Sequence, residues 1–288
     1  MSFSAPPVFP CRNIFFCAAT DEMRLRQAVS RDIDILIVDL EDEIRAGDKA
    51  SAREAMLRTF ADLRTDKKIF VRTNGVGTEW IVSDLKAIAK MGQIDGVVIP
   101  KVESRSDLMT ASVLLEEADL SRLPLIAVIE SPVAILAISE IADAPVNLVA
   151  FTMGPFDMSR AIGCRRDDDA GPVLIARAMA LMAARVRGIA ALDGPAAGTL
   201  AAEEKRAAFK RSREMGFDGK IFTKFEDGDE IRSIFTPHRD QLALAQEIVD
   251  AFAGQSEPFT VTLAGGATVD RRNLVWAERV LLNCSGVH

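Results

Sequence analysis

Apolar residues along the chain form two kinds of segment, short continuous runs and longer stretches with helical spacing. Short runs rich in Ile, Val and Phe are typical of strands that are buried on both faces, as in a parallel sheet. The sequence contains eight such runs, which we predict to be strands: Ile14–Cys17, Ile35–Asp39, Ile69–Arg72, Gly96–Pro100, Leu125–Glu130, Leu148–Phe151, Gly188–Leu192 and Lys220–Phe222.

Longer amphipathic stretches separate these runs, and we predict them to be helices. The clearest are Lys49–Leu63, Ser104–Glu117, Val173–Arg187 and Leu200–Met215. Strands that alternate with helices eight times predict an α/β fold, a closed (β/α)8 TIM barrel. An open, doubly wound sheet is the alternative, but the G-x-G-x-x-G turn expected in that fold does not follow Cys17.

The residues after Pro237 predict a C-terminal extension of the barrel. Its predicted elements are a helix over His238–Ala253, a break at Gly254–Pro258, a β-like run over Phe259–Leu263, a turn at Gly265-Gly266 and a helix from Arg271. We therefore divide the chain into a barrel, residues 1–237, and an extension, residues 238–288, that is too short to hold a core of its own. Because a barrel is closed without this apolar extension, we expect it to pack on a neighbouring subunit.

Composition narrows the class of protein. Hydrophobic residues make up 49% of the 288 residues, and the net charge is −7. An acidic chain lacks the basic face of general nucleic-acid binders, and no apolar run approaches the ~18 residues of a membrane helix. We therefore expect a cytoplasmic protein that binds neither nucleic acid nor membrane. The four cysteines show no metal-ligand spacing and are expected to be core residues.

The residue types that are missing limit the chemistry. The chain has no tyrosine, and its only histidines are His238, expected at the exposed start of a helix, and the final residue, His288. This argues against a Ser-His-Asp triad and a histidine-rich zinc site. Acid–base chemistry is left to Asp, Glu, Lys, Cys or a metal ion.

Charged side chains follow nearly every predicted strand. Active sites of barrels lie at the C-terminal ends of the strands, so these residues are candidates for function. They are Asp39, Glu41, Asp42, Arg72, Lys101, Glu130, Asp157 and Asp193. The acidic run from Asp39 to Asp42 has a second interpretation, the start of the next helix, where carboxylates suit the helix dipole.

Glu130 and Asp157 follow adjacent predicted strands and are the candidate metal ligands. Mg²⁺ prefers oxygen ligands, takes one or two carboxylates and keeps coordination sites for water and substrate. The alternative is that Glu130 caps the next helix and that Asp157 is an ordinary loop residue.

Arg72 and Lys101 each have a functional and a structural interpretation. The planar guanidinium of Arg72 suits a substrate carboxylate or phosphate, and it suits an ion pair with the acidic run equally well. Lys101 could form a Schiff base, as in class I aldolases, but an ion pair with Glu103 or Glu130 is the favoured interpretation.

A set of motifs resembles those of the citrate lyase β-subunit-like proteins of the HpcH/HpaI aldolase family, relatives of malyl-CoA and citramalyl-CoA lyases. The motifs are Val38–Asp42 with Lys49 and Ala52-Arg53, Val71–Asn74, Val98–Glu103, Ile129–Pro132, Gly154–Asp157, Gly216–Lys220 and Phe235–Pro237. Each motif is weak alone, but their shared order and spacing across almost the whole chain are highly specific.

The resemblance implies a (β/α)8 barrel with Mg²⁺ as its cofactor, bound by Glu130 and Asp157. It implies that Arg72 holds a substrate carboxylate and that Gly154 and Phe156 contact the substrate. The residues expected around this site are Asp39, Glu41, Asp42 and Lys101.

The resemblance also implies that the C-terminal extension reaches over a neighbouring subunit. From the apolar extension we expect a homotrimer or hexamer, and packing of the extension against the barrel wall of its own chain is the alternative. In related lyases an aspartate of this extension enters the neighbour's active site. Asp270 occupies that place in the segment Gly266–Asp270. Asp270 and Arg72 are therefore the expected catalytic residues.

The implied activity is cleavage of a 3-hydroxyacyl-CoA, such as citryl-, malyl- or citramalyl-CoA, into an acyl-CoA and a 2-oxo acid. The chain departs from the family pattern at Ala18-Ala19, where Pro-Gly is usual, at Lys224-Phe225, where His-Pro is usual, and at Phe156, where an acid is common. Three alternatives stay open: a CoA-independent Mg²⁺-dependent aldolase for a 2-oxo-hydroxy acid, a thioesterase or malate-synthase-like activity on the same scaffold, and a catalytically lapsed barrel that acts as a ligand-binding subunit.

Overall fold

The computed structural model describes residues 10–165, 171–253 and 259–282. Eight parallel strands close into a barrel in sequence order, so that β1 pairs with both β2 and β8. The strands are β1 (Asn13–Ala18), β2 (Ile35–Asp39), β3 (Lys68–Arg72), β4 (Gly96–Ile99), β5 (Leu125–Ile129), β6 (Leu148–Met153), β7 (Ala190–Asp193) and β8 (Gly219–Phe222). The predicted (β/α)8 barrel is confirmed, and the open sheet is excluded.

Helices connect the strands on the outside of the barrel. They are α1 (Glu22–Val29), α2 (Lys49–Asp62), α3 (Ile81–Ile88), α4 (Arg105–Glu117), α5 (Pro132–Leu136), α6 (Ile138–Ala142), α7 (Pro155–Ile162), α8 (Gly171–Arg187), α9 (Ala202–Met215) and α10 (Phe225–Phe235). The four clearest predicted helices are α2, α4, α8 and α9, and each agrees with its prediction to within two residues at either end.

Alternate residues of each strand belong to two separate cores. One row points into the barrel, and its residues, which include Ile37, Phe70 and Val128, pack against one another. The other row, which includes Val38 and Ile129, packs against the surrounding helices. Both rows are apolar because a barrel strand is buried on both faces, and this explains why the strands read as continuous apolar runs.

The C-terminal extension consists of α11 (Arg239–Phe252), an antiparallel hairpin of β9 (Thr260–Thr262) and β10 (Thr268–Asp270), and α12 (Arg271–Leu282). The break predicted at Gly254–Pro258 lies outside the described residues. The two helices and the hairpin bury a small apolar cluster: Ala245, Ile248, Phe252, Leu263, Ala277 and Val280.

The expectation that the extension has no core of its own is therefore wrong. The physical reason is that α11 and α12 pack against each other and cover most of each other's apolar residues. The extension also approaches the barrel of its own chain, because Arg279 Nη1 lies 3.8 Å from Asp218 Oδ1, directly before β8. Its packing on a neighbouring subunit stays a prediction.

Two of the cysteines are buried in the core, as expected. Cys11 and Cys17 are 0% and 2% exposed, and burial raises the pKa of Cys17 to about 12 and that of Cys11 well above its usual value. A thiol with so high a pKa is a poor nucleophile, so the expectation is confirmed for these two residues. Cys284 and His288 lie outside the described residues, whereas His238 is exposed at the start of α11, as expected.

Within residues 10–165, 171–253 and 259–282, no helix combines the length and the apolar character that crossing a membrane requires.

Candidate active site

A cavity of about 310 Å³ opens among the C-terminal ends of the barrel strands. Its charged lining residues in the described part of the chain are Asp42, Glu43, Arg72, Glu130 and Asp157. The strand residues that line it deeper in the barrel are Phe16, Ile37, Val98, Val128, Thr152 and Ile221. A charged rim over a mostly apolar floor is typical of a site for a small polar ligand.

Glu130 and Asp157 lie on neighbouring units of the barrel, as predicted. Glu130 directly follows β5 and is 4% exposed, and Asp157 lies in the first turn of α7, after β6. The alternative interpretation of Glu130 as a helix cap is wrong, because Ser131 caps α5 through its hydroxyl. Both carboxylates line the cavity.

Lys101 lies at the centre of the acidic rim. Its Nζ atom lies 3.3–3.6 Å from oxygens of the carboxylates of Glu41, Asp42, Glu130 and Asp157. Burial alone would lower the pKa of Lys101, but these negative charges raise it above its usual value. The ammonium therefore stays protonated, which argues against a Schiff-base lysine, and the favoured ion pair with Glu130 is confirmed.

The backbone of Lys101 also contributes to this arrangement. Its φ angle of 54° lies in the left-handed region, which is uncommon for a residue other than glycine. Its backbone N–H donates a 2.7 Å hydrogen bond to Glu130 Oε1. Backbone strain of this kind concentrates at functional sites, where the surrounding structure enforces it.

The carboxylate oxygens of Glu130 and Asp157 are suitable ligands for a hard divalent cation. Both side chains are carboxylates, and the Lys101 ammonium lies within 3.5 Å of each, as a stand-in cation would. In the described part of the chain, no group of three or more Asp, Glu, His or Cys side chains is arranged around one metal position. Two carboxylates with open positions suit Mg²⁺, which completes its shell with water and substrate oxygens.

Arg72 makes the ion pairs of its structural interpretation and also lines the cavity. Its Nε donates to Asp39 Oδ1 at 2.6 Å, and Nη1 lies 3.2 Å from Glu41 Oε2. The guanidinium lies over the ring of Phe16, 4.6 Å from the centroid. The two interpretations therefore do not exclude each other: the ion pairs hold the guanidinium in place at the cavity wall.

After Asp39, the last residue of β2, the acidic run is a loop rather than a helix start, because α2 begins only at Lys49. The Asp39 carboxylate is fully buried and accepts backbone N–H groups of Glu41 and Glu43 as well as Arg72. Burial raises the pKa of Glu41 to about 8, against the opposite effect of Arg72 and Lys101. Perturbed carboxyl groups of this kind are frequent in active sites.

Other residues of the motifs that carry the resemblance hydrogen-bond to the backbone of this loop, on the side away from the cavity. Lys49 Nζ donates to the carbonyl oxygens of Leu40 and Glu41 at 2.8 and 2.7 Å. Asn74 donates to Leu40 O and to Asp84, and Asp84 in turn pairs with Arg53 at 2.9 Å. These motif residues thus hold the acidic run in position and do not line the 310 Å³ cavity.

Asp193 was a candidate from its strand-end position, but its side chain points away from the cavity. Its carboxylate pairs with Lys220 at 2.6 Å and with Arg177 at 2.7 Å, and it accepts a hydrogen bond from Ser212. All four side chains are buried between the strands and helices α8 and α9. Asp193 and Lys220 therefore belong to the barrel wall.

Asp270, the candidate from the extension, lies at the end of β10. Its carboxylate pairs with Arg272, which lowers the pKa of Asp270. Within one chain Asp270 lies outside the described lining of the cavity. A catalytic role would require a second subunit, as the resemblance implied.

Gly154 and Phe156 lie in the cavity wall beside the candidate metal ligands. A Cβ atom on Gly154 would lie 2.4 Å from Glu130 Cβ and 2.7 Å from Glu130 Oε2. The missing side chain of Gly154 therefore leaves the space in which the Glu130 carboxylate lies.

We expect Gly154→Ala to displace Glu130 and to lower Mg²⁺ affinity about tenfold or more, the usual cost of disturbing a ligand's surroundings. Isothermal titration with Mg²⁺ measures the effect. Gly47→Ala is the matched control, since a Cβ there meets no atom within 4 Å. Equal Mg²⁺ affinities for Gly154→Ala and the unmodified protein would show that the Glu130 position does not matter for the metal.

Two residues of the cavity floor were not among the candidates predicted from the sequence. Phe16 supports the Arg72 guanidinium, and Thr152 brings a hydroxyl group into an otherwise apolar row. Both lie at even positions of strands whose other even residues, such as Ile14 and Ala150, point into the barrel. The alternation of inward and outward residues along each strand could have identified both residues. Its use requires knowing which of the two apolar faces of the strand points into the barrel.

The chain is similar in sequence to a protein family and to curated relatives. Residues 12–224 match the model of the HpcH/HpaI aldolase/citrate lyase family. A (3S)-malyl-CoA thioesterase from Cereibacter sphaeroides is 30% identical over 281 residues, which cover 96% of each of the two chains.

Two solved structures share the fold. CitE from Mycobacterium tuberculosis, in complex with magnesium, acetoacetate and coenzyme A, is 27% identical, with a TM-score of 0.71 over 99% of this chain and 100% of that chain. A citrate lyase beta subunit from the same organism, complexed with oxaloacetate and magnesium, is also 27% identical, with a TM-score of 0.68 over 79% of this chain and 98% of that chain.

Proposed function

Because the chain belongs to the HpcH/HpaI aldolase/citrate lyase family, we propose that it is a magnesium-dependent carbon–carbon lyase that cleaves a 3-hydroxyacyl-CoA into an acyl-CoA and a 2-oxo acid. The observation that carries the proposal is the convergence of Glu130, Asp157 and Arg72 on one cavity at the C-terminal end of the barrel. Two carboxylates and a guanidinium match a metal-chelating oxo acid with a carboxylate group.

Glu130 and Asp157 hold the metal in this proposal. When bound, Mg²⁺ polarises the carbonyl and carboxylate oxygens of the oxo acid and stabilises developing negative charge. Arg72 binds the substrate carboxylate and orients it, since Asp39 and Phe16 already fix the guanidinium. Relatives crystallised with magnesium and with oxaloacetate or acetoacetate support these assignments.

The protein's remaining task is proton transfer. In the cleavage direction the 3-hydroxyl group loses its proton, the bond between C2 and C3 breaks, and C2 of the released acyl-CoA gains a proton. We assign this transfer to Asp270 of a neighbouring subunit. The carboxylate form of an aspartate is a proton acceptor, and the protonated form can return the proton to carbon.

A second candidate is hydrolysis of the thioester, because the relative that is 30% identical is a (3S)-malyl-CoA thioesterase. Hydrolysis breaks the bond between carbon and sulfur and releases free CoA. Carbon–carbon cleavage instead leaves the thioester intact in the acyl-CoA product. The two activities therefore differ in whether they release free CoA thiol.

Incubation with malyl-CoA, citramalyl-CoA and β-methylmalyl-CoA in Mg²⁺ separates the candidates. We expect a 2-oxo acid, trapped as its hydrazone, without release of free thiol. Free CoA without a 2-oxo acid would instead identify a thioesterase. Cleavage of a free 4-hydroxy-2-oxo acid, with all CoA thioesters left intact, would identify a CoA-independent aldolase and overturn the CoA lyase proposal.

The surface of the barrel supports a homo-oligomer, which we propose to be a trimer or hexamer. The outward face of α8 carries Ile175, Met182 and Val186, which are 63%, 59% and 80% exposed, and Leu136 of α5 is 86% exposed. A helix whose outer face is apolar is normally covered. A second subunit would bury this face.

We expect Met182→Glu to shift the protein to a smaller assembly, because a charge would then be buried at the interface. Multi-angle light scattering at micromolar concentration measures the mass. Met23→Glu, at a site 71% exposed on α1, is the matched control and should leave the mass unchanged. A monomeric unmodified protein would refute the oligomer, and an unchanged Met182→Glu mass would exclude this face.

A further inference from the structure

Thr152 is a polar residue in the inward row that forms the cavity floor. It lies on β6, where it pairs in register with Val128 of β5, and it is 2% exposed. The other strand residues of the floor are apolar within the described part of the chain: Phe16, Ile37, Val98, Val128 and Ile221.

The position of Thr152 relates it directly to the candidate metal ligands. Gly154 follows two residues later on the same inward row, and a Cβ atom added there would lie 2.4 Å from Glu130 Cβ. On the neighbouring strand, Val128 of β5 precedes Glu130 by two residues. Thr152 therefore lies one layer below Glu130 in the barrel, at the wall that Glu130 and Asp157 share.

The hydroxyl group of Thr152 is buried and lacks a hydrogen-bond partner in the described part of the chain. A buried polar group without a partner reduces the stability of the fold. Valine would fill nearly the same volume without that cost, so packing alone does not account for a hydroxyl group at this position.

We propose that Thr152 is a substrate-binding residue whose hydroxyl donates a hydrogen bond to an oxygen of the bound 2-oxo acid. The inference rests on the proposed function, which supplies a small anion with acceptor oxygens in this cavity. The neighbouring side chains of the floor are hydrocarbon, so among the described lining residues at this depth Thr152 is the one that carries a side-chain hydroxyl group. The floor thereby favours ligands that direct an oxygen, rather than a methyl group, towards β6.

Calorimetric titration of the Mg²⁺-saturated protein with glyoxylate, pyruvate and oxaloacetate tests the proposal. We expect Thr152→Val to weaken binding of the best of these ligands roughly tenfold, the effect of one hydrogen bond to a charged or polar ligand. Thr152→Ser keeps the hydroxyl and should bind as the unmodified protein does. The Mg²⁺ affinity itself should stay unchanged in both variants, because Thr152 is not a metal ligand.

Thr73 provides a matched control. Its hydroxyl is also buried and has no partner among the described residues, but it lies outside the described lining of the cavity. Thr73→Val should leave ligand binding unchanged. Should Thr152→Val fail to fold, Thr152→Ala removes the same hydroxyl from a smaller side chain and carries the same expectation.

The outcomes separate this inference from the function beneath it. Binding by the unmodified protein that Thr152→Val leaves unchanged would overturn the role of Thr152 and leave the proposed function in place. Equal losses in Thr152→Val and Thr152→Ser would likewise overturn it, since the hydroxyl would not be what matters. No binding of any of the three oxo acids by the unmodified protein would overturn the proposed function and this inference together.

Discussion

Replacing Glu130 by glutamine is expected to lower kcat/KM about a thousandfold or more while the barrel stays folded. Glutamine has the shape of glutamate but lacks the negative charge that a hard cation requires. Polarisation by a bound metal contributes several kcal/mol to a reaction of this class, and about 4 kcal/mol corresponds to a factor of a thousand. The loss should therefore appear in Mg²⁺ affinity and in turnover together.

The fold should tolerate this change because glutamine keeps nearly the size and shape of glutamate at this buried position. The amide oxygen of glutamine can still accept the backbone N–H of Lys101. Titration with Mg²⁺ measures the metal affinity, initial rates measure kcat/KM, and circular dichroism shows whether the barrel is folded. Glu117→Gln, an exposed position at the end of α4, is the control. Full activity of Glu130→Gln, or of the unmodified protein in EDTA, would contradict a metal at this site.

Replacing Asp193 by asparagine is expected to lower the free energy of unfolding by about 3–5 kcal/mol, the range for breaking a buried ion pair. Asparagine would remove the negative charge that Asp193 places beside Lys220 and Arg177, which are 0% and 1% exposed, in the wall between β7, β8 and α8. Urea denaturation measures the loss. Asp62→Asn removes an exposed ion pair with Arg26 and should change stability little.

This stabilisation should depend on pH in a definite direction. Burial alone would raise the pKa of Asp193, but the charges of Lys220 and Arg177 and hydrogen bonds from Lys220 and Ser212 lower it below its usual value. A carboxyl group whose pKa is lower in the folded state stabilises the fold above about pH 4, the unfolded value, and loses this effect as the pH falls through the folded pKa. The stability difference between the unmodified protein and Asp193→Asn should therefore shrink below about pH 4. A difference that is constant from pH 7 to pH 3 would show that the charge of Asp193 is not its cause.

The sequence did not reveal which strand-end carboxylates face the cavity and which lie in the barrel wall. Glu130 and Asp193 both end a strand with a carboxylate, and by that criterion they were equal candidates. Their side chains point to opposite faces, because Glu130 continues the inward row of Val128, whereas Asp193 alternates with the inward residue Leu192. Strand alternation fixes this difference, but both faces of a barrel strand are apolar, so hydrophobicity does not identify the inner one.

Lys101 illustrates a second limit. An ion pair with Glu130 followed from their neighbouring strands, but the contacts with Glu41 and Asp42 depend on a loop whose path is set by Lys49 and Asn74. Distances across a barrel rim depend on strand tilt and stagger, which no local pattern encodes.

The sequence by itself determined the eight strands, the helices between them, the family and the charged ends where the candidate site lies. It could do so because burial on both faces makes each strand a continuous apolar run, and because a parallel barrel brings all strand ends of one polarity to one rim. Only the tertiary structure decided that Arg72 is held by Asp39, that the extension has a core of its own, and that the Thr152 hydroxyl, beneath Glu130, has no partner among the described residues. These features depend on which side chains meet across elements distant in sequence, and that is fixed by close packing in three dimensions rather than by the period of any one segment.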